Sequence, residues 1–384
     1  MAKKKAEGYL SAKESRRISR ENRKITNEFE KKRKRKNVPE SEYTTTMKNP
    51  ENVVEIDNLH TYFFTDAGTV KSVNGVSFDV PIGKTVGVVG ESGCGKSVTS
   101  LSIMQLVQRP QGQTVEGEIR LNLGDGKAYN IVNTPNDKMQ GIRGNYVSMI
   151  FQEPMTSLNP VFRIGDQVDE VISLHNPDMS KEDVKARTIE MLELVGIANS
   201  EGVYKMFPHE LSGGMRQRIV IAMGLACNPK LIIADEPTTA LDVTIQAQIL
   251  DLLRDLKDKI NSSIMLITHD LGVIAEMADY VVVMYAGRVV EKGTAQEIFK
   301  DPRHPYTIGL MNSKPVVGKK VDRLYSIPGK VPNPIDMPNY CYFKDRCEMC
   351  VDKCNGAYPD MIKVSDTHYV SCYRHYEDAV KEER

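Results

Sequence analysis

Residues 84–97 read Lys-Thr-Val-Gly-Val-Val-Gly-Glu-Ser-Gly-Cys-Gly-Lys-Ser and predict the central elements of the structure. It begins with a short apolar run of the kind that forms a buried parallel strand. Its last eight residues match the pattern G-x-x-x-x-G-K-S and lead directly into a helical pattern from Val98 to Val107. A strand, a glycine-rich loop and a helix in this order predict a site for nucleotide phosphates.

The loop offers several kinds of phosphate contact. Glycines allow the backbone to curl so that successive N–H groups point inward, and the positive end of the following helix adds to their field. Lys96 provides a mobile cation for the β- and γ-phosphates, and Ser97 offers a hydroxyl to Mg²⁺. A glycine-rich turn without a ligand would not need this Lys-Ser pair. The residues predicted to bind the nucleotide are Gly90, Glu91, Ser92, Gly93, Cys94, Gly95, Lys96, Ser97 and Val98.

Two acidic residues follow a second apolar run. Residues 231–234 read Leu-Ile-Ile-Ala and are followed by Asp235 and Glu236. Ligands of parallel α/β sheets collect at the carboxyl ends of the strands, so both carboxylates are expected beside the phosphates. Asp235 is predicted to hold Mg²⁺, and Glu236 to orient or deprotonate the attacking water. Two buried acids with a purely structural role would be costly without a cation.

The wider pattern alternates strands with helices. Strands are predicted at residues 53–56, 61–64 and 76–80 before the loop, and at 264–267 and 280–284 after the acidic pair. Between about residues 165 and 204 the pattern is helical, with Ser180 and Asp183 resembling a capping box. The sequence therefore predicts an α/β sheet interrupted by a helical subdomain.

A further motif gives the chain a family resemblance. Residues 211–218, Leu-Ser-Gly-Gly-Met-Arg-Gln-Arg, look like the signature of ABC-type ATPases, and they precede the strand that ends in the acidic pair. Two glycines at a helix start expose backbone N–H groups, which makes a second phosphate site without its own lysine. The resemblance implies that Ser212, Gly213 and Gly214 close over ATP held by an opposite subunit, in a head-to-tail dimer.

Other positions match this family in order along the chain. Gln152 resembles the Q-loop glutamine, residues 240–242 with Asp242 resemble the D-loop, and His269 resembles the switch histidine. The resemblance implies that Gln152 senses Mg²⁺ and the membrane partner, and that His269 contacts the γ-phosphate and stabilises charge in the transition state. An aromatic residue is also expected to stack on adenine. Phe63 is the predicted residue, in preference to Tyr62 or Phe64.

The stretch Phe-Gln-Glu-Pro-Met-Thr-Ser-Leu-Asn-Pro at residues 151–160 narrows the resemblance. It is similar to the Q-loop of ATPase subunits from oligopeptide, dipeptide and nickel importers, as are residues 304–307 and 327–334. The resemblance covers roughly residues 53–375. It implies two membrane permease subunits, a paralogous ATPase or a second copy as dimer partner, an extracytoplasmic solute-binding protein acting indirectly, and a peripheral place on the cytoplasmic face of the membrane.

The same resemblance implies a division of the chain. An ATPase domain with a RecA-like core, an antiparallel β-subdomain and a helical subdomain at about 155–225 is expected over residues 51–305. A cysteine-bearing extension is expected over residues 306–384. A nickel or other solute importer, and a nucleic-acid- or ribosome-associated ABC ATPase, are the alternative functions; one P-loop and no sustained heptads speak against the last.

Five of the seven cysteines lie after position 340. Four thiolates can satisfy an iron-sulfur cluster or tetrahedral zinc, and the spacing alone does not choose between these and free thiols. The peptide-importer resemblance implies a 4Fe-4S cluster, with Cys350 as an additional thiol. Its implied ligands are Cys341, Cys347, Cys354 and Cys372.

Charge is distributed unevenly along the chain. The formal net charge is +0, yet residues 1–50 carry 16 Lys/Arg against 7 Asp/Glu, with six consecutive cations at residues 31–36. A solvated, partly disordered tail is the simplest interpretation, and binding to anionic lipid headgroups or RNA is the sharper one. No apolar run approaches the ~18 residues of a membrane-spanning helix, and the first residues lack the apolar core of a secretory signal.

Overall fold

Two β-sheets organise the part of the chain that the computed structural model describes, which is residues 10–124, 126–151, 157–239, 242–313, 325–335 and 337–377. Among these residues the larger sheet has eight strands in the order β12-β13-β11-β10-β4-β9-β8-β7. The strands are β4 (Thr85–Val89), β7 (Val147–Ile150), β8 (Leu231–Asp235), β9 (Ser263–Ile267), β10 (Tyr280–Tyr285), β11 (Arg288–Thr294), β12 (Ile362–Lys363) and β13 (Tyr369–Val370).

The parallel part of this sheet runs from β10 through β4, β9 and β8 to β7. Alternate residues of its strands enter different apolar clusters: Ile232 packs with the helices on one face, and Ile233 packs with the smaller sheet on the other. Because both faces are covered, all five residues of β4 are buried. This explains the continuous apolar runs in the sequence.

The smaller sheet is antiparallel, with five strands in the order β1-β6-β5-β2-β3 among the described residues. Its strands are β1 (Thr44–Thr45), β2 (Asn52–Phe64), β3 (Thr69–Pro81), β5 (Gly112–Asn122) and β6 (Ala128–Asn130). The strands predicted at residues 53–56 and 61–64 are one continuous strand, β2. Asn58 adopts a positive φ of 46° in its middle, and the pairing register shifts there.

Eleven α-helices are described in this part of the chain. They are α1 (Ala12–Arg33), α2 (Lys96–Ile103), α3 (Asn136–Ile142), α4 (Ile164–His175), α5 (Lys181–Leu194), α6 (Ser200–Tyr204), α7 (Gly213–Leu225), α8 (Val243–Lys259), α9 (Leu271–Met277), α10 (Ala295–Lys300) and α11 (Pro305–Asn312). Helices α4 to α7 lie within the range predicted for the helical subdomain. Half of the expected capping box at α5 is confirmed, because Ser180 Oγ accepts from Asp183 N at 3.1 Å. The Asp183 carboxylate accepts from the Ser180 hydroxyl at 2.7 Å and not from its backbone N–H.

The N-terminal segment differs from the expected disordered tail. Residues 12–33 form α1, whose first turn has a capping box between Ser11 and Glu14. The helix packs on the smaller sheet, where Asn22 Nδ2 donates to Thr65 O at 2.7 Å and Gln113 Nε2 donates to Glu30 at 3.0 Å. The prediction of disorder is therefore wrong for these residues, and the packed face is largely polar.

The C-terminal segment extends the larger sheet. The short strands β12 and β13 pair with each other, and β13 pairs with β11 next to the parallel core. An aromatic cluster of Tyr285, Tyr306 and Phe343 joins this segment to the end of β10 and to α11, with ring centroids 4.6 to 5.4 Å apart. The cysteine-bearing segment is thus packed directly on the core that carries the phosphate-binding loop.

Candidate active site

The glycine-rich loop connects β4 to α2 at the carboxyl end of the parallel sheet. Gly95 precedes α2 with a φ of 101°, and a Cβ at this position would lie 2.3 Å from Ser72 O. A Cβ at Gly90 would lie 2.2 Å from Met284 O. Both positions therefore require glycine, for conformation and for space. The predicted strand, loop and helix are confirmed.

Lys96 is buried at the start of α2. Its Nζ donates to Gly90 O at 2.7 Å and to Glu91 O at 3.2 Å, so the cation lies inside the curl of the loop. The same amine lies 3.7 Å from Cys94 Sγ. Burial raises the pKa of the Cys94 thiol, although Lys96 opposes the shift, and the thiol is therefore neutral at physiological pH.

Ser97 and Asp235 meet beside the loop. Ser97 Oγ donates to Asp235 Oδ1 at 3.2 Å, which joins the first turn of α2 to the end of β8. Burial raises the pKa of Asp235, and Glu236 adds to the shift, whereas the bond from Ser97 and the nearby Lys96 oppose it. A hydroxyl and a carboxylate are hard oxygen ligands, and a buried carboxylate gains from an adjacent cation. This pair therefore fits Mg²⁺.

Glu236 and His269 lie at the carboxyl ends of neighbouring strands. Glu236 follows β8 with a φ of 48°, and its Oε1 lies 3.2 Å from His269 Nδ1. Thr239 Oγ1 donates to Oε2 at 2.9 Å, which fixes the other carboxylate oxygen. The His269 side chain is 65% exposed and the Glu236 side chain 18%. The carboxylate is thus held between two partners while the imidazole faces the surface.

The signature residues begin α7 on the surface. Ser212 caps the helix by accepting from Met215 N at 3.3 Å. Ser212 and Gly213 are exposed, and a Cβ on Gly213 would meet no atom within 4 Å. A helix N-terminus with exposed N–H groups and open space in front of it can accept a phosphate from another molecule.

The remaining predicted residues have different outcomes. Gln152 lies outside the described residues. Asp242 caps α8, where its Oδ1 accepts from Ile245 N at 2.9 Å. Phe63 is half-buried near the end of β2 with its ring against Gly112, while Phe64 is buried and the Tyr62 hydroxyl donates to Asn74 at 2.7 Å. Stacking of Phe63 on adenine stays a prediction.

Four of the C-terminal thiols line one small cavity between α11 and the segment that follows it. Burial raises the pKa of Cys341 to about 12 and that of Cys372 to about 11, and the neighbouring thiols add to both shifts. Cys347 and Cys354 complete the set, whereas Cys350 is exposed and does not line the cavity. Within the described residues, no three His, Cys, Asp or Glu side chains are arranged so that they could hold a metal ion.

Sequence reasoning missed residues that hold the site from outside its motifs. Tyr306 Oη accepts from Glu91 N at 2.7 Å, and Arg346 forms an ion pair with the Glu91 carboxylate. Neither residue stands in a phosphate-binding pattern. Thr239 is the one partner of Glu236 that a local signal could have indicated, because it follows Glu236 by only three residues.

Of the helices described, none is both long enough and apolar enough to cross a membrane.

Comparison with known proteins agrees with this geometry. The family model for ABC transporters matches residues 73–239, and the model for the C-terminal region of oligopeptide/dipeptide transporters matches residues 290–354. The chain is 50% identical over 330 residues to the oligopeptide transport ATP-binding protein AppD of Bacillus subtilis (strain 168), covering 86% of this chain and 99% of the relative. It is 48% identical to the dipeptide transport ATP-binding protein DppD of Lactococcus lactis subsp. cremoris (strain MG1363), and the match covers 84% of this chain and 91% of that relative.

Solved structures show the same architecture. The dimeric post-hydrolysis state of the ATP-binding cassette MJ0796, bound to ADP and Pi, superposes with a TM-score of 0.55 at 26% identity. The match covers 63% of this chain and 98% of that one. The predicted α/β ABC ATPase fold is confirmed. The site geometry, both family models and the similar relatives together show that the chain belongs to the ATP-binding subunits of ABC transporters, in the oligopeptide/dipeptide transporter family.

Proposed function

We propose that the chain hydrolyses ATP to drive uptake of oligopeptides or dipeptides across the cytoplasmic membrane, at whose inner face it associates with permease subunits. The observation that carries this proposal is the joint presence of the complete loop–strand–signature arrangement and the C-terminal region shared with peptide transporters. The relatives' names support a peptide cargo. A solute-binding protein outside the membrane would deliver the peptide.

The geometry suggests a separate role for each group that lies around the nucleotide. The loop's N–H groups and Lys96 bind the β- and γ-phosphates, while Ser97 and Asp235 hold Mg²⁺, which neutralises phosphate charge when bound. Glu236, which follows Asp235 at the end of β8, orients the attacking water and accepts its proton. His269, 3.2 Å from Glu236, then stabilises negative charge developing on the γ-phosphate.

A second subunit completes the site. Ser212 and Gly213 are exposed on the signature helix, so their N–H groups are available to ATP held by a partner's loop. The partner is a paralogous ATPase or a second copy of this chain. Closure of the dimer over ATP moves the permease subunits through the Q-loop, and hydrolysis resets the pair.

The decisive experiment for the catalytic carboxylate is the Glu236→Gln variant. An amide cannot accept the proton, so ATPase activity should fall by about 10²-fold or more. ATP-bound dimers should accumulate because closure no longer leads to hydrolysis. Phosphate release and light scattering with ATP and Mg²⁺ measure the two effects.

The matched control is Glu276→Gln, which removes an exposed carboxylate that pairs with Arg254 on the surface of α9. This variant should keep wild-type turnover. Full turnover in Glu236→Gln would remove Glu236 from its assigned role.

Cargo is tested in a separate experiment. Cells lacking the chain should recover uptake of labelled dipeptide when they express the wild-type chain but not when they express Glu236→Gln.

For the cysteine cavity we propose a 4Fe-4S cluster held by Cys341, Cys347, Cys354 and Cys372. The four side chains would have to turn towards one another on binding, because among the described residues they are not arranged to hold a metal ion. The support is that these four thiols line the same cavity while Cys350 lies outside it. Protein purified without oxygen should contain iron and acid-labile sulfide, and Cys341→Ser should lose both. The control Cys350→Ser should retain them. Stoichiometric zinc, or no metal in anaerobic wild type, would contradict the cluster.

For the basic N-terminal segment we propose anionic membrane lipids as the partner, with RNA as the other polyanion considered. The support is the density of cations in residues 31–36, most of which are exposed at the end of α1. Adjacent cations gain from a polyanionic surface.

A further inference from the structure

The second residue of the phosphate-binding loop is held by a residue of the cysteine-bearing segment, 255 positions away. Arg346 lies in the short 3₁₀ helix Lys344–Arg346, immediately before Cys347. Its Nη1 donates to Glu91 Oε2 at 2.7 Å and its Nη2 donates to Glu91 Oε1 at 3.0 Å. This two-pronged geometry is the strongest that a guanidinium forms with a carboxylate.

The surroundings of Arg346 fix this pair in place. Its Nε donates to Pro328 O at 2.8 Å, its Nη1 lies 3.3 Å from the Tyr285 hydroxyl, and the residue is only 7% exposed. The hydrogen bond with Glu91 raises the pKa of Arg346 above its ordinary value, so the guanidinium stays charged. A buried planar cation with three sets of partners has little freedom to leave the carboxylate.

Glu91 also contacts the nucleotide machinery through its backbone. Its N–H donates to the Tyr306 hydroxyl at 2.7 Å, and its carbonyl oxygen accepts from Lys96 Nζ at 3.2 Å. A movement of Glu91 would therefore move an oxygen that positions the lysine. The residue that Arg346 holds is part of the loop's own geometry.

The negative charge of Glu91 explains why its ion pair with Arg346 matters for ATP binding. ATP brings several negative charges to the loop, and the loop binds them with backbone N–H groups and a lysine, so a carboxylate side chain contributes nothing to phosphate binding. An unpaired carboxylate on the same loop would repel the nucleotide. If the pair only anchored the C-terminal segment, breaking it from either side would lower stability without a specific effect on ATP affinity.

We propose that Arg346 is a positioning residue for ATP: by neutralising and holding Glu91, it keeps the loop in a form with affinity for the triphosphate. This role rests on the proposed hydrolysis of ATP at this loop. It also links the nucleotide site to the cysteine cavity, because Cys347, the next residue, lines that cavity.

The test is a double-mutant cycle in the full chain, with KM for MgATP and kcat measured by phosphate release. Arg346→Met should raise KM by about fivefold or more, because it leaves the Glu91 carboxylate without its countercharge near the phosphates. Its kcat should change less than KM. Glu91→Gln should raise KM less than Arg346→Met does. The KM of the double variant Glu91→Gln/Arg346→Met should fall back towards the KM of Glu91→Gln. The rise in KM of Arg346→Met relative to wild type should shrink with added salt.

Arg303→Met is the matched control, because Arg303 lies just before α11 and forms its ion pair with Asp301 rather than with a residue of the phosphate-binding loop. An unchanged KM in Arg346→Met, or a double variant at least as impaired as Arg346→Met alone, would overturn the proposal. If Arg346→Met does not fold, Arg346→Gln carries the test, because it keeps a hydrogen-bond donor but removes the charge: a raised KM supports the proposal, and a wild-type KM overturns it. Wild type without ATPase activity would instead contradict the proposed function.

Discussion

At the scale of single residues, Lys96 makes the clearest prediction. Its amine lies inside the loop on two carbonyl oxygens, where β- and γ-phosphates are expected to draw it outward. Lys96→Ala should lower ATP affinity by about tenfold or more, because a charge-assisted contact to phosphate is lost. Equilibrium binding of a fluorescent ATP analogue measures the effect. Lys84→Ala is the control, since Lys84 lies just before β4 and pairs with Asp279 at the surface; equal losses in both variants would contradict a specific role for Lys96.

The residue scale also shows which parts of the site a sequence can predict. Lys96, Ser97 and the acidic pair stand in local patterns, since each needs a particular residue type at a fixed spacing. Arg346 stands in no pattern. Its partner is 255 residues away, and only the packing of the C-terminal segment on β10 brings the two together.

At the scale of elements, Glu297 ties α10 to the C-terminal hairpin. It accepts hydrogen bonds from Thr294 at the helix start and from Ser365 and Thr367 before β13. Burial alone would raise the pKa of Glu297, but these hydrogen bonds outweigh it and lower the pKa from 4.5 to about 2. The ionised form is therefore favoured in the folded state, so its stabilisation is complete above about pH 4.5 and is lost as the pH falls towards 2.

Glu297→Gln should lower the free energy of unfolding by about 1–2 kcal/mol at pH 7, because it removes charge-assisted hydrogen bonds whose strength solvent screens at this partly exposed side chain. The difference from wild type should narrow below about pH 4.5, where the wild-type carboxylate begins to lose its advantage. Urea titrations at several pH values measure both effects. Glu190→Gln, at an exposed pair with Arg187, is the control. A difference that stays constant or grows on acidification would contradict the assigned pKa.

Element prediction failed where packing did not use apolar side chains. The strands of the parallel sheet and the cap of α5 followed from periodicity and capping chemistry, but α1 did not. Its buried positions are Asn22 and Thr26, so the face on the smaller sheet gives no hydrophobic period to detect. The helix is held instead by polar contacts with residues far along the chain, and these do not appear in a local pattern.

At the scale of the whole molecule, charge asymmetry predicts how the chain meets a membrane. The first fifty residues are strongly cationic while the rest of the chain carries an excess of acids. Protein with all of residues 1–384 should bind vesicles containing anionic lipid at low salt, with a binding free energy of about 1 kcal/mol per cation near the surface. A chain beginning at residue 37 should lose this binding. Vesicle sedimentation measures it, with neutral vesicles and added salt as controls; equal binding by the shortened chain would contradict the prediction.

The pairing of β13 with β11 has a consequence for handling the protein. Among the described strands of the larger sheet, β11 would become an outer one if the chain stopped before residue 369, and its main-chain groups at Glu291 and Lys292 would lose their partners. An exposed edge strand of this kind pairs with strands of other molecules and promotes aggregation. Trimming the protein down to its ATPase core, a common route to crystals, should therefore produce material that precipitates.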